Sequence, residues 1–216
     1  MNRAAVVAAY RLGFALLTLS AIAAQQLDLA ARGVLNPVNF FSYFTIQSNL
    51  IGAAVFAIGA AAMWQRERWT GWDLVRGASV LYLTITFVVF ALLLSGTDVD
   101  TAIPWVNSVV HQVFPIVVIV DWLVDPPRSA ITFRRSLVWI VYPLVWTGYT
   151  LVRGAAVGWY PYPFLNPVNG GYPTVAAYIV AILIFGAVLC ALLARVGNLA
   201  AARLGPRAAT GTPTRP

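Results

Sequence analysis

The sequence predicts an all-α fold, a polytopic membrane protein whose six transmembrane helices form one bundle. Of its 216 residues, 60% are hydrophobic and only 10% are charged, whereas soluble domains are usually about a quarter charged. Apolar stretches of about 20 residues, which are long enough to cross a bilayer as helices, recur along the chain. Proline, glycine and charged residues, which end helices and build turns, separate these stretches.

Six apolar stretches meet this length, and residues that end a helix follow each of the inner ones. The predicted spans are Ala4–Ala24, Tyr43–Trp64, Val75–Ser95, Val106–Val124, Leu137–Val157 and Thr174–Ala194. Charges and a glycine lie in QRERWTGWD, two aspartates in SGTDVDTAIP, and a double proline in VDPPRSAITFRR. The loop before the last span, GWYPYPFLNPVNGGYP, is dense in proline, glycine and aromatic residues.

The distribution of arginine predicts the orientation of these spans. Eleven of the 14 basic residues lie at the N-terminus, in the second and fourth loops, and in the C-terminal tail. The other loops contain only Arg32, and Arg11 and Arg153 lie inside predicted spans. Because cytoplasmic segments carry an excess of basic residues, we expect a multi-pass cell-membrane protein with both termini in the cytoplasm.

The chain divides into one domain and a short tail. We assign residues 1–200 to a single six-span transmembrane domain, and residues 201–216, which lack apolar periodicity, to a disordered cytoplasmic tail. All basic residues are arginine, and with the high alanine content this favours a GC-rich bacterial genome. The net charge of +7 is scattered between apolar runs, so it does not indicate nucleic-acid binding. A single cysteine allows no intrachain disulfide.

The second predicted span begins with an unusual number of polar side chains. Ser42, Thr45 and Asn49 have the spacing of residues that share one helix face, and the predicted orientation places them in the outer half of the membrane. Serine and threonine in membrane helices often bond to their own backbone or to a neighbouring helix. The alternative is that this face lines a site shared with other spans.

The fourth and fifth spans carry polar residues at a similar predicted depth. His111, the only histidine of the chain, lies inside the fourth span, and Asn107 precedes it by one turn. Tyr149 and Arg153 lie in the outer half of the fifth span. Ionisable residues within a membrane are costly and tend to be functional, although Arg153 also has the option of reaching the headgroups.

The aromatic loop between the last two spans is a candidate lid. Its proline and aromatic content favours a compact cover over a flexible linker. We expect Trp159, Tyr160, Tyr162 and Phe164 to contact the outer ends of the second or fourth span and to control access to the polar residues.

Two further charges lie in the inner halves of the predicted spans. Arg11 is about two turns from the start of the first span, and Asp121 is one turn from the end of the fourth. A lone charge at either position is expensive. We therefore expect a buried ion pair that joins these two spans.

The available side chains favour acyl transfer over metal or nucleotide chemistry. One histidine and one cysteine on different spans are too few for a zinc site, and phosphate-binding glycine loops and a G-x-S-x-G elbow are absent. We therefore expect no cofactor. A hydroxyl next to a neutral imidazole, with amide or arginine groups to stabilise an oxyanion, is the minimum set for attack on an ester.

Three stretches, FFSYFTIQSNL, WVNSVVHQVFPIVVIVDW and GWYPYPFLNP, resemble the androgen-induced-gene family of six-to-seven-span membrane proteins, especially its bacterial branch. The resemblance covers the chain from the second to the fifth span. Animal members of that family are hydrolases that cleave fatty acid esters of hydroxy fatty acids with a threonine and a histidine. The resemblance thus implies a lipid or fatty-acid ester substrate.

The same resemblance implies roles for individual residues. His111 matches the family's histidine, because it follows Trp105-Val106-Asn107 and precedes Pro115, with Asp121 as the acidic residue ten positions on. The residue aligned with the family's threonine nucleophile is Ser42, and Thr45, one turn deeper, is the alternative.

The remaining candidate residues are assigned to substrate binding. Asn49 or Asn107 would orient the imidazole or donate to the oxyanion, and Tyr149, Arg153 and Tyr162 would receive the substrate. A non-enzymatic carrier or sensor of a small or lipid-like ligand would use the same pocket, and the sequence leaves this alternative and the oligomeric state open.

Overall fold

The computed structural model describes residues 3–64, 71–95 and 103–203, and every regular element in these ranges is a helix. The α-helices are α1 (Arg3–Ala31), α2 (Pro37–Ser42), α3 (Phe44–Trp64), α4 (Trp72–Val89), α5 (Pro104–Ser108), α6 (Phe114–Val124), α7 (Phe133–Ser136), α8 (Val141–Val157) and α9 (Gly171–Arg203). Two π-helical turns, Phe90–Leu94 and Val109–Val113, extend α4 and join α5 to α6. A 3₁₀ turn, Leu137–Ile140, joins α7 to α8. The predicted all-α class is confirmed for these residues.

Five of the helical segments are long and apolar enough to cross a membrane. They are Arg3–Ala31, Phe44–Ala62, Trp72–Leu94, Pro104–Val124 and Gly171–Arg203. These segments correspond to the first four predicted spans and the last one. The fifth predicted span is also helical throughout, but it is divided between the 3₁₀ turn and α8, which has only 17 residues.

Helix α9 is longer than the last predicted span at both ends. It contains 33 residues and ends at Arg203, so the first three residues of the predicted tail are helical. The rest of that tail lies outside the described residues.

Close packing of α3 against its neighbours sets the centre of the bundle. Helix α3 contacts α1 and α4, and α4 contacts α6 and α9. A Cβ atom at Gly52 would lie 2.6 Å from Leu83 and 3.0 Å from Phe114. Small residues at such points allow membrane helices to approach closely. The polar residue Asn49 of α3 thereby reaches the π-helical turn that precedes α6.

The predicted ion pair between α1 and α6 is present. Arg11 Nε donates to Asp121 Oδ1 at 2.7 Å and its NH2 donates to Asp121 Oδ2 at 2.9 Å. Only 1% of the Arg11 surface is exposed. The pair therefore joins two sequence-distant helices in the interior of the bundle.

Two further charged residues, Arg76 and Asp125, bond to the pair of Arg11 and Asp121. Arg76 on α4 donates to Asp121 Oδ2 at 2.9 Å, and Arg11 donates to Asp125 Oδ2 at 2.8 Å. Arg76 also donates to the backbone oxygen of Asp125 at 2.6 Å. We call Arg11, Arg76, Asp121 and Asp125 the ion network; it links α1, α4 and α6.

The start of α3 departs from the predicted geometry. Tyr43 has an extended backbone, with φ −66° and ψ 130°, and separates α2 from α3. Ser42 therefore ends α2, whereas Thr45 and Asn49 lie one turn apart on α3. The expectation that Ser42 shares one helix face with the other two is wrong for this reason.

Candidate functional site

Thr45 is the second residue of α3, and its hydroxyl lies between an imidazole and a phenol. Thr45 Oγ1 is 3.3 Å from His111 Nε2 and 3.2 Å from the Tyr162 hydroxyl oxygen. The Thr45 backbone N–H also donates to the Tyr162 oxygen at 3.2 Å. Residues from the second predicted span, the fourth predicted span and the aromatic loop therefore meet at the buried hydroxyl of Thr45.

His111 lies in the π-helical turn Val109–Val113, and the local sequence explains this turn. Pro115 has no N–H and cannot donate to the carbonyl of His111 four residues earlier. The Phe114 N–H, one residue before this proline, donates to the Val109 oxygen, five residues back. Single π-helical turns inside α-helices are frequent at functional sites.

Two neighbours hold the imidazole in one orientation. His111 Nδ1 is 2.8 Å from Asn107 Oδ1 and 3.2 Å from the Asn107 backbone oxygen. Both oxygens only accept hydrogen bonds, so Nδ1 carries the proton and Nε2 is left as an acceptor facing Thr45. The Phe90 ring stacks on the imidazole with centroids 4.1 Å apart. This is the tautomer that a general base next to Thr45 requires.

Tyr162 completes a directed chain of hydrogen bonds. Burial raises the pKa of its phenol, so the oxygen keeps its proton while it accepts the Thr45 N–H. The proton of Tyr162 is then directed to Thr45 Oγ1, and the Thr45 proton is directed to His111 Nε2. Tyr43 and Phe164 hold the Tyr162 ring, with ring centroids 5.7 and 5.4 Å away.

Asn49 supports the site from one turn deeper on α3. Its Nδ2 donates to the Thr45 backbone oxygen at 2.8 Å and to the Val110 backbone oxygen at 3.0 Å. Asn49 is fully buried. Its amide nitrogen therefore ties α3 to the π-helical turn that carries His111, and Asn49 positions both parts of the site through backbone oxygens.

Ser42 makes its hydrogen bonds elsewhere. Its Oγ donates to the Val38 backbone oxygen at 2.6 Å and lies 2.8 Å from the Tyr149 hydroxyl oxygen. Its backbone oxygen accepts the Trp146 indole N–H. Within the described residues Ser42 has no hydrogen bond to His111. The hydroxyl beside the imidazole belongs to Thr45, the alternative candidate.

Thr45 lines two cavities, and they differ in polarity. The first, which we call the polar cavity, has a volume of about 120 Å³. The polar residues in its wall include Gln25, Asn36, Asn39, Thr45, His111 and Tyr162. The second, the apolar cavity, has a volume of about 70 Å³ and also includes Thr45 and Tyr162 in its wall.

Arg153 lies behind the wall of the polar cavity. Its NH2 donates to Asn39 Oδ1 at 2.6 Å, and its guanidinium lies 4.9 Å from the Trp159 ring centroid. Asn39 and Trp159 both line the polar cavity, whereas neither Arg153 nor Tyr149 does. Arg153 thus supports the wall rather than reaching the space that a substrate would fill.

The aromatic loop covers this end of the bundle. Trp159 and Tyr162 contact Tyr43, with ring centroids 5.6 and 5.7 Å apart. Phe164 packs against Tyr178 of α9 at 5.7 Å. Tyr160 packs against Gly154, where any side chain would collide with its ring. The predicted contact between the loop and the start of the second span is confirmed for Trp159 and Tyr162.

The sequence did not predict the contact of Phe90 with His111, nor the direct hydrogen bond of Tyr162 with Thr45. Phe90, which stacks on His111, is one apolar residue among many in a predicted span, and nothing in the sequence marks it. Tyr162 was expected at the lid and in substrate binding, but it bonds the candidate nucleophile directly. In the part of the chain that the structure describes, no group of three or more His, Cys, Asp or Glu residues is placed to hold a metal ion.

The comparisons with known proteins add no further constraint on this site. The chain matches no protein-family model, no curated protein and no solved structure.

Proposed function

We propose that this protein is an integral membrane hydrolase of lipid esters in which Thr45 is the nucleophile and His111 the general base. The observation that carries the proposal is the 3.3 Å contact between Thr45 Oγ1 and His111 Nε2. Nε2 is the unprotonated nitrogen because Asn107 accepts the Nδ1 proton. The resemblance to the androgen-induced-gene family, whose animal members use a threonine and a histidine on fatty acid esters, supports the same assignment.

The reaction follows from the hydrogen-bond directions. His111 Nε2 takes the Thr45 proton as Oγ1 bonds to the ester carbonyl carbon, and the imidazolium then returns a proton to the departing alcohol. A water molecule repeats these steps and releases the carboxylic acid, which restores Thr45. The imidazolium is stabilised by Asn107, which accepts the hydrogen bond from Nδ1–H.

The amino end of α3 is suited to the negative charge of the intermediate. The first N–H groups of a helix have no partner within the helix, and the helix dipole favours an anion there. Thr45 belongs to this first turn because the extended Tyr43 starts the helix immediately before it. Before attack the Thr45 N–H donates to the Tyr162 oxygen and the Tyr162 proton is directed to Oγ1, so both donors turn to the oxyanion only as it forms.

We further propose six membrane spans with both termini in the cytoplasm. The loop before α9 meets Thr45 through Tyr162, whereas the end of α6 meets the far end of α9, where Trp122 donates to the Leu193 backbone oxygen. The segment of the chain that follows α6 and precedes α9 therefore runs from one end of the bundle to the other. The segment Phe133–Val157, which is about 38 Å long as a helix, is proposed to make this return.

Reporter fusions test this topology. Alkaline phosphatase fused after Ser95 should be active, because the third loop is external, and the fusion after Arg134 should be inactive. Both fusions must be produced in comparable amounts, as measured by immunoblot. The reverse pattern would place the site at the inner leaflet and refute the proposed orientation.

A fluorophosphonate probe, which reacts with activated hydroxyls, tests the function. Purified protein in detergent should be labelled, and His111→Ala should slow labelling by about 100-fold or more, the usual contribution of a general base. Gel filtration must show that the variant elutes as the wild type does. Labelling of His111→Ala at the wild-type rate would refute the hydrolase and favour a carrier or sensor that binds its ligand in the same pocket.

A further inference from the structure

The apolar cavity beside Thr45 has the properties of a dry site. Its wall includes two threonines outside the catalytic group, Thr86 and Thr147, and both hydroxyls are already bonded. Thr86 Oγ1 is 2.9 Å from Ser48 Oγ, and Thr147 Oγ1 donates to the Pro143 backbone oxygen at 2.8 Å. A buried water needs two to four polar partners, which this wall does not offer away from Thr45 and Tyr162. The cavity therefore suits a hydrocarbon group.

Thr45 and Tyr162 line both cavities, so each cavity adjoins the residue to which an ester carbonyl carbon would bond. The polar cavity includes His111 in its wall, and the apolar cavity does not. The leaving alcohol must receive its proton from His111 and therefore lies on the polar side. The other substituent of the carbonyl carbon, the acyl chain, is then directed to the apolar side.

We propose that the apolar cavity is the acyl-chain pocket and that Gly186 of α9 sets the chain length it accepts. This inference rests on the proposed ester hydrolysis. The cavity volume is about 70 Å³, roughly half that of an apolar cavity of 150 Å³ that binds benzene. By that comparison it holds about three carbon atoms of an acyl chain beyond the carbonyl.

Gly186 is the wall residue at which the pocket can be filled without a clash. A Cβ atom at this position would lie 3.9 Å from Ile85 Cδ1, an ordinary van der Waals distance, and both residues line the cavity. A larger side chain at position 186 thus occupies the space between α9 and α4. Gly148 of α8 is a matched control, because a Cβ atom there meets nothing within 4 Å.

Chain-length preference tests the pocket. The wild type, Gly186→Ala, Gly186→Leu and Gly148→Leu are assayed on the p-nitrophenyl esters of acetic and butyric acid. Gly186→Leu should lower kcat/KM for the butyrate by about tenfold or more relative to the acetate, since one methylene in a pocket is worth roughly 10–200-fold. The ratio of kcat/KM for the butyrate to that for the acetate should be intermediate in Gly186→Ala. Gly148→Leu should keep the wild-type ratio. An unchanged ratio in both Gly186 variants overturns the proposal.

A binding experiment separates failure of the pocket from failure of the hydrolase. Pentanoic acid with a diazirine at carbon 4 is photo-cross-linked to the wild type and to Gly186→Leu, and labelled peptides are identified by mass spectrometry. Labelling at Ile182 or Leu183 that disappears in Gly186→Leu supports the pocket even if no ester is hydrolysed. Absence of labelling there, or equal labelling of both proteins, overturns it.

Discussion

Thr45→Ala will abolish ester hydrolysis, with a fall in kcat of about 10³-fold or more, the range seen when a hydroxyl nucleophile is removed. Ser42→Ala will retain activity within a few-fold. The difference follows from the hydrogen bonds: Thr45 Oγ1 lies 3.3 Å from His111 Nε2, whereas Ser42 donates to Val38. Both rates are measured with the purified variants on the same p-nitrophenyl ester.

Two additional variants separate chemistry from folding in this experiment. Thr45→Ser keeps the hydroxyl and should keep measurable turnover and probe labelling. Thr45→Ala combined with His111→Ala should be little slower than either single variant, because a nucleophile and its base act as a unit. The opposite result, an active Thr45→Ala and an inactive Ser42→Ala, would transfer the nucleophile to Ser42.

The helices were largely predictable because span length and hydropathy are local properties of a sequence. The segment Leu137–Val157 was the exception among the described spans. Leu137–Ile140 forms a 3₁₀ turn, and Pro143, which lacks an N–H, lies in the first turn of α8. Because of these features, α8 is one turn shorter than the predicted span Leu137–Val157. The hydropathy of this apolar run does not reveal where the α-helix begins.

The histidine of the site was predictable, but the choice between the two hydroxyls was not. A lone His111 within an apolar run is costly unless it has a role. The choice between Ser42 and Thr45 depends on the extended backbone of Tyr43, and the sequence contains no glycine or proline at that position to mark it. Only the folded chain shows which hydroxyl faces the imidazole.

The ion network shows the same limit for charges. The pair of Arg11 and Asp121 was predictable because each lies within a predicted span, where a lone charge is expensive. Arg76, the second residue of the predicted third span, was counted with the basic residues of the second loop, and Asp125 follows the fourth span directly. Both are nevertheless buried. Their participation depends on how α4 and α6 pack, which charge spacing along the chain does not contain.

Asp121→Ala will be the most destabilising of the substitutions considered, because it leaves two buried guanidinium groups without their shared carboxylate. Arg11 and Arg76 both donate to Asp121, at 2.7–2.9 Å. Removal of one partner of a buried ion pair typically costs about 3–5 kcal/mol. We expect a large drop in the Tm of the detergent-solubilised protein, measured by tryptophan fluorescence or by loss of the gel-filtration peak on heating.

Asp28→Ala is the matched control for this effect, since Asp28 pairs with Arg32 at 2.7 Å but both side chains are substantially exposed, at 32% and 46%. An exposed pair of this kind contributes about 0.2–1 kcal/mol to stability. The Tm of Asp28→Ala should therefore stay close to that of the wild type. Arg11→Leu combined with Asp121→Leu should melt above Asp121→Ala, because the substitutions remove both charges of the pair and leave Arg76 bonded to Asp125. Equal melting of Asp121→Ala and Asp28→Ala would mean that the network does not hold α1, α4 and α6 together.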